Sequence, residues 1–299
     1  MRPARVAPPH ETIPPDEADL AAALATVAEV MRGRRTVALT GAGISTDSGV
    51  PDYRSPGSPP RTPMSHQDFL ASERHRRHYW ARNHLGWRHL QGVRPNAGHR
   101  TLAALEAAGL ISGVITQNID LLHVRAGSTA VVHVHGRSDR VRCLDCGHVL
   151  PRADLDAALV AANPGWRERV AHLPDVEIAP DADAVLSATA DFRIVDCPRC
   201  GGLLQPDVVF FGSNSTRERT AAATALVEGA DAMLVLGSSL TVMGGLRYVR
   251  LAARLGVPVA IVNRGATRGD DLATWRITAG TTQALGALAR LLGVPGTDG

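Results

Sequence analysis

The spacing of apolar residues changes period several times along the chain, and each change predicts an element. Leu20, Leu24, Val27, Val30 and Met31 recur at helical spacing, and Gly33 supplies a stop. Arg35 to Thr40 then reads as a buried strand that runs into Gly41-Ala42-Gly43. Thr101 to Ala108 predicts a short helix ended by Gly109, Ile111 to Thr116 a second strand, and Val131 to His135 a third. Ala221 to Glu228 predicts a helix, followed by the strand Ala232 to Leu236 and then Gly237-Ser238-Ser239. A helix from Gly245 to Leu255 leads to the strand Val257 to Val262, which meets Asn263-Arg264-Gly265. Strands alternating with helices of these lengths imply βαβ units, so the expected class is α/β with a Rossmann-like, mainly parallel sheet.

One stretch admits two readings. From Arg74 to His89, arginines interleave with Tyr79, Trp80 and Trp87. Such a run can stack on single-stranded nucleic acid. The favoured reading is a helical surface that buries its aromatics and exposes its charges.

Composition narrows the class. The 299 residues are 44% hydrophobic with mean hydropathy −0.03, as in an ordinary globular protein, and suffice for one large domain with a small satellite. No run of about twenty apolar residues predicts a transmembrane helix. Met1 to Asp19 holds five prolines and reads as a disordered extension; its acidic residues argue against an organelle-targeting peptide. A net charge of +3 is too small to point to nucleic acid, and no membrane or nucleic-acid partner is expected. All 32 basic residues are arginine, which suggests a GC-rich bacterial genome. Apart from its N-terminal amine, the protein therefore carries no primary amine.

The four cysteines form two pairs, Cys143-x-x-Cys146 and Cys197-x-x-Cys200, each followed by glycine. Four cysteines are too few for a disulfide scaffold in a chain this long, and a thioredoxin-like redox centre needs only one pair. Two such knuckles match a tetrahedral Zn²⁺ site, and four thiolates leave no position open for a catalytic water. One structural zinc is therefore expected, with a reducing, cytoplasmic location. The cysteines divide the chain into a small zinc-binding module at 138–207 inserted into a Rossmann-like domain of 20–137 and 208–290, with 1–19 and 291–299 as an extension and a tail.

Polar, glycine-containing clusters follow the predicted strands: Gly41-Ala42-Gly43-Ile44-Ser45, Gln117-Asn118-Ile119-Asp120, His135-Gly136, Gly237-Ser238-Ser239 and Asn263-Arg264-Gly265. Ligands of open α/β sheets bind outside the carboxyl ends of the strands. Five clusters at that edge point to a dinucleotide, whose pyrophosphate main-chain N–H groups of small residues can approach. The spacing is not G-x-G-x-x-G, and no acidic residue closes a second strand about twenty residues on, so a hydride-transfer dehydrogenase is not the natural reading. Asn118 and Asp120 could equally cap the helix that follows them. His133 and His135 face the same way along a strand, and spacing does not separate them.

These residues resemble the sirtuins, NAD-dependent protein lysine deacylases. The resemblance is carried by Gly41 through Arg54, Thr116-Gln117-Asn118-Ile119-Asp120, His123, Arg125-Ala126-Gly127 and His135-Gly136. It continues through the two cysteine pairs, Phe210-Phe211-Gly212, Gly237-Ser238-Ser239-Leu240 and Asn263-Arg264-Gly265, in conserved order from about residue 20 to 290. The segments 77–83 and 270–272 look like the class II branch. The family pairing of histidine with glycine selects His135 as the general base, acting with Asn118 and Asp120 as catalytic residues.

The resemblance further implies that NAD is consumed, with release of nicotinamide and O-acyl-ADP-ribose, and that acyl-lysine proteins are the substrates. Gly41, Ala42, Gly43, Ile44, Asp52, Tyr53, Arg54, Gln117, Asn118, Ile119, Asp120, Gly237, Ser238, Ser239, Asn263, Arg264, Gly265 and Thr281 would bind the cofactor. Cys143, Cys146, Cys197 and Cys200 would hold zinc. Ser213 stands where relatives often carry an acid, and Thr281 where they commonly show Cys or Ala. No Tyr-x-x-Arg selector of succinyl-type groups follows Arg54. Other readings of the same residues are a protein ADP-ribosyltransferase and a non-catalytic NAD or ADP-ribose sensor.

Overall fold

The computed structural model describes residues 17–52, 63–171 and 189–295. In chain order the elements are α1 (Glu17–Met31), β1 (Thr36–Thr40), α2 (His66–Ala71), α3 (Glu73–Gly92), α4 (Ala97–Ala107), β2 (Ile111–Thr116), α5 (Leu122–Arg125), β3 (Val131–His133), β4 (Gly136–Cys143) and β5 (Val149–Pro151). There follow α6 (Arg152–Ala162), α7 (Trp166–Ala171), β6 (Leu204–Val208), α8 (Arg217–Glu228), β7 (Ala232–Leu236), α9 (Met243–Arg254), β8 (Val259–Val262), β9 (Trp275–Ile277) and α10 (Thr281–Leu292). They divide into two compact units, Met1–Gly49 with Arg94–Val134 and Ser215–Gly299, and Val50–Val93 with His135–Asn214.

The first unit is built on a six-stranded, wholly parallel sheet in the order β3-β2-β1-β7-β8-β9. The central strands β1 and β7 are buried along their whole length, which is why they read as continuous apolar runs. Alternate residues feed opposite faces. Ala38, Val114, Leu234, Leu236, Ala260 and Val262 pack on one side with Leu20, Leu24, Leu102 and Leu285 of α1, α4 and α10. Val37, Leu39, Ile115, Met233, Val235 and Ile261 pack on the other with Val227, Leu246 and Val249 of α8 and α9. The chain builds outward from β1 to β3, then from β7 to β9 in the other direction. The boundary between β1 and β7 is thus a topological switch point, where such sheets open a crevice at the carboxyl edge.

The second unit has a three-stranded antiparallel sheet, β5-β4-β6, and the helices α2, α3, α6 and α7. The sequence reading placed all of 20–137 in the NAD-binding domain; the structure instead puts Val50–Val93 here. The cause is the aromatic content of α2 and α3. Phe69, Tyr79 and Trp80 are buried in one cluster with Val141, Leu155, Trp166, Phe192 and Phe210. The run from Arg74 to His89 is accordingly a helix with buried aromatics and exposed Arg74, Arg88 and His89.

At the centre of this unit Arg152 is 1% exposed. Its guanidinium lies 4.7 Å from the Trp87 ring centroid and 5.4 Å from that of Trp80, and donates to Asn83 Oδ1 at 3.1 and 3.3 Å. Burial lowers its pKa to about 10, so it stays cationic. Asp156 sits beside it, 2.7 Å from His84 Nδ1 and 2.6 Å from the Arg88 guanidinium. Among the described residues no helix is long and apolar enough to cross a membrane.

Candidate functional site

In the first unit the loops after β1, β2, β7 and β8 lock to one another. Gly41 donates its N–H to Leu236 O at 3.1 Å, and Gly43 donates to Gly237 O at 2.9 Å. A Cβ on Gly41 would lie 2.8 Å from Gly237 O, and one on Gly43 would lie 2.9 Å from Gly237 Cα. The glycines therefore serve main-chain packing across the switch point. The N–H groups of Gly41 and Gly43 meet the end of β7 and the loop after it, and those of Ile44 and Ser45 donate to Gly41 O and Ala42 O. Thr281, at the start of α10, ties down the same loop through Oγ1 to Gly43 O at 3.3 Å. Gly237 N donates to Val262 O at 3.0 Å, which joins the β7 loop to β8 and the Asn263-Arg264-Gly265 turn.

A buried polar cluster lies against these loops. Ser45 donates to Asp120 Oδ2 at 2.6 Å, and Asn118 Nδ2 donates to Gly41 O and to Ser45 Oγ, both at 3.1 Å. Asp120 Oδ1 accepts the Leu122 N–H at 2.9 Å, so the carboxylate also serves the turn into α5, whose N-cap position is Leu121. Gln117 Nε2 donates to Ser238 Oγ at 2.6 Å, tying the β2 loop to the β7 loop. Beneath them His99 lies 3.4 Å from Ser45 Oγ, and His123 lies 2.9 Å from Thr40 Oγ1, which donates to Thr116 Oγ1. The two imidazoles stack edge-on with centroids 4.9 Å apart.

Burial sets the charge state of this cluster. It pushes the Asp120 carboxyl up, against opposing bonds from Ser45 and Leu122. It pulls His99 down to about 4, with Arg100 adding to the effect, and takes His123 well below its ordinary value. Both histidines are neutral at pH 7 and act as hydrogen-bonding groups.

Of the remaining site residues, His133 belongs to the first unit, and His135 and Asp52 belong to the second. The strand β3 ends at His133, two residues earlier than expected, and His133 is buried there with Nδ1 3.4 Å from Asn118 O. His135 is half-buried, and its carbonyl accepts the Val209 N–H at 2.8 Å. The glycine after it has a strict steric cause. Gly136 has φ +91°, and a Cβ would lie 2.1 Å from Asp207 O of β6. Asp52 is half-buried; Tyr53 and Arg54 lie outside the described residues.

The four cysteine sulfurs converge within 4.8 Å of one another. Cys143 and Cys200 are 3.5 Å apart and Cys146 and Cys197 3.9 Å, far longer than a disulfide. Four sulfurs about 2.3 Å from a tetrahedral Zn²⁺ stand about 3.8 Å apart, so the donor set fits that ion. Each knuckle closes through a glycine N–H, Gly147 to Cys143 O at 3.1 Å and Gly201 to Cys197 O at 2.8 Å. Those glycines have φ of +69° and +73°, a region glycine occupies without strain. The N–H of Cys146 helps draw the Cys143 thiol down to about 7. Neighbouring thiols, Cys146 first, push Cys200 up to about 12, so full ionisation calls for a cation among them.

The model of the Sir2 family matches residues 41–244, more than half of the chain. This chain belongs to the Sir2 family. This Sir2 chain is 55% identical over 260 residues to an NAD-dependent protein deacetylase 1 of Mycobacterium avium, covering 87% of this chain and 92% of the relative. It is 51% identical over 298 residues to an NAD-dependent protein deacetylase 1 of Streptomyces coelicolor, covering 98% and 97%. Among solved structures it is similar to a Sir2 described with p53 peptide and NAD+, at TM-score 0.69 and 30% identity, covering 91% of this chain and 99% of that one. Another, a Sir2 bound to a propionylated peptide, gives TM-score 0.68 and 29% identity over 91% and 99%.

Within this Sir2 chain, Ser45, His99, Thr40 and Thr116 complete the polar cluster but are absent from the sequence-derived site. His99 had a readable signal. Asn96 caps α4, accepting the His99 N–H at 3.1 Å, so the Asn-x-x-His spacing marks a helix start earlier than Thr101.

Proposed function

We propose that this Sir2 chain is an NAD-dependent protein lysine deacylase. The observation that carries the reading is the Ser45–Asn118–Asp120 cluster at the carboxyl edge of the parallel sheet, set where the strand order reverses. The names of the relatives support the same activity. On this reading the acyl oxygen of the modified lysine attacks C1′ of the nicotinamide ribose, and nicotinamide leaves. His135 takes a proton from a ribose hydroxyl, so that the 2′-oxygen can attack the resulting imidate. The lysine amine then leaves and one water adds to the sugar-bound acyl group, so that free lysine and O-acyl-ADP-ribose are the products. Imidazole suits that task because its ordinary pKa lies near neutrality.

Asn118 and Asp120 would hydrogen-bond the nicotinamide ribose and carboxamide, with Gln117 assisting. Gly41 through Ile44 and Gly237 through Ser239 would border the pyrophosphate. Asn263, Arg264, Gly265 and Thr281 would border the adenosine. Asp52, Tyr53 and Arg54 would cover the cofactor. Zn²⁺ on Cys143, Cys146, Cys197 and Cys200 supplies fold stability to the second unit and no catalytic step. The reducing cytoplasm, which keeps such thiolates available to metal, is the expected location.

The test is a panel of acyl-lysine peptides with NAD, read by mass spectrometry. Loss of acyl mass with O-acyl-ADP-ribose is the expected result. Gain of ADP-ribose on protein would instead assign an ADP-ribosyltransferase. His135→Ala should abolish acyl removal while ADP-ribose binding persists; a variant that still turns over removes the assigned base.

A further inference from the structure

The turn Asn263-Arg264-Gly265 leaves β8 with Asn263 N donating to Ile277 O of β9 at 3.1 Å, and two side chains converge on its last carbonyl. Asn263 Nδ2 donates to Gly265 O at 2.7 Å. Arg276 of β9 donates to the same carbonyl through Nη2, to Ile277 O through Nη1 at 2.7 Å, and to Asp270 Oδ1 through Nε at 3.0 Å. Every nitrogen of one planar guanidinium is thus engaged, and the fork fixes the carbonyl of Gly265 relative to β9. Asp270 is held in turn, its Oδ1 accepting Thr267 Oγ1 at 2.6 Å and its Oδ2 accepting Thr267 N at 3.0 Å.

The same strap reaches the β7 loop. Arg268 N donates to Ser239 O at 2.9 Å, and the Arg268 guanidinium donates to Thr241 O at 3.1 Å. Gly269 packs on Leu240, which is one of two non-glycine residues with positive φ among the described residues, at +53°. Segment 267–272 therefore ties two strand-end loops together, with Arg276 and Asp270 as its clasp. The pair is 23% and 33% exposed, sheltered enough for its geometry to persist.

We propose that Arg276, through Asp270 and the Gly265 carbonyl, is a positioning residue for the adenosine half of NAD. The inference rests on the deacylase reading above, which puts that half at residues 263–265. Arg276 touches neither the nicotinamide ribose cluster nor the reacting atoms, so its loss changes cofactor affinity and leaves the chemical step alone.

The experiment measures ADP-ribose affinity by calorimetry, and KM for NAD and kcat with an acyl-lysine peptide, for wild type, Arg276→Gln and Arg276→Lys. Arg276→Gln should weaken ADP-ribose and raise KM for NAD about tenfold, the scale of one charge-assisted hydrogen bond, with kcat within about twofold. Arg276→Lys keeps the partner of Asp270 but lacks the planar fork, and should fall between. A folded Arg276→Gln with wild-type ADP-ribose affinity overturns the proposal, as does a fall in kcat at unchanged KM. Should Arg276→Gln fail to fold, Thr267→Val frees Asp270 from the other side and should weaken ADP-ribose severalfold; unchanged affinity there overturns it too. Wild-type protein that binds no ADP-ribose would sink the deacylase reading itself, a separate outcome.

Discussion

Replacing Gly237 by alanine isolates what main-chain contact at the switch point is worth. Gly237 has φ +62°, and an added Cβ would lie 2.6 Å from both Gly43 C and Ile44 N. Neither is the end of a flexible side chain, so β1 and β7 must part. Gly256, after α9, is the matched control, with φ +71° and nothing within 4 Å of its Cβ. Both substitutions force a left-handed alanine, at about 1–2 kcal/mol. Both also stiffen the unfolded chain by similar amounts, which cancels in the comparison. Only Gly237→Ala adds overpacking, about 1–3 kcal/mol. At about 2–4 °C per kcal/mol for a unit of this size, Gly237→Ala should melt roughly 2–12 °C below Gly256→Ala. Circular dichroism during heating measures the difference, and ADP-ribose titration should show weakening at position 237 only. Equal melting temperatures would refute the claim that backbone contact, beyond backbone dihedral, demands glycine here.

Cys197→Ala should reduce bound zinc from one equivalent toward none and lower the melting temperature by well over 10 °C, since a structural tetrathiolate zinc contributes several kcal/mol or more of folding energy. Elemental analysis with differential scanning calorimetry checks this; a zinc-free variant melting like wild type would count against it. Protein stability should also fall as pH drops. His99 titrates near 4 when folded and near 6.5 when unfolded, so between those values the unfolded chain binds more protons. The contribution is complete above pH 6.5, declines toward pH 4, and amounts to about 3 kcal/mol. His123 adds a loss of the same sign. Urea midpoints from pH 7 to 4 should flatten in His99→Gln, and an unchanged slope would remove His99 as the cause.

The strands most legible in the sequence are those buried on both faces. Val37-Ala38-Leu39 and Ala232 to Leu236 read as unbroken apolar runs because helices cover both sides of the sheet. Trp275-Arg276-Ile277 was not readable as a strand: it is three residues long and carries a charge that faces the Gly265 turn. The metal knuckles were legible because ligand spacing is local. The polar cluster was legible only in part. Asn118 and Asp120 sit two residues apart, but Ser45 meets Asn118 across a sequence separation of 73 and His99 meets Ser45 across one of 54, which no local pattern encodes. The packing of α2 and α3 was hidden for a related reason, since Phe69, Tyr79 and Trp80 lie far in sequence from the β4–β6 sheet they pack on.

Arg152 gives the second unit an unusual kind of centre. A core filled by aliphatic volume tolerates many rearrangements of similar size, because dispersion has little preference for direction. A guanidinium flanked by two indoles and anchored on an amide oxygen does have one. Trp80, Asn83, Trp87 and Arg152 are then bound to each other's angles as well as to each other's sizes, and must vary together or stay as they are. Arg74 and His89, on the outward side of the same helix, carry no such obligation and are free to drift.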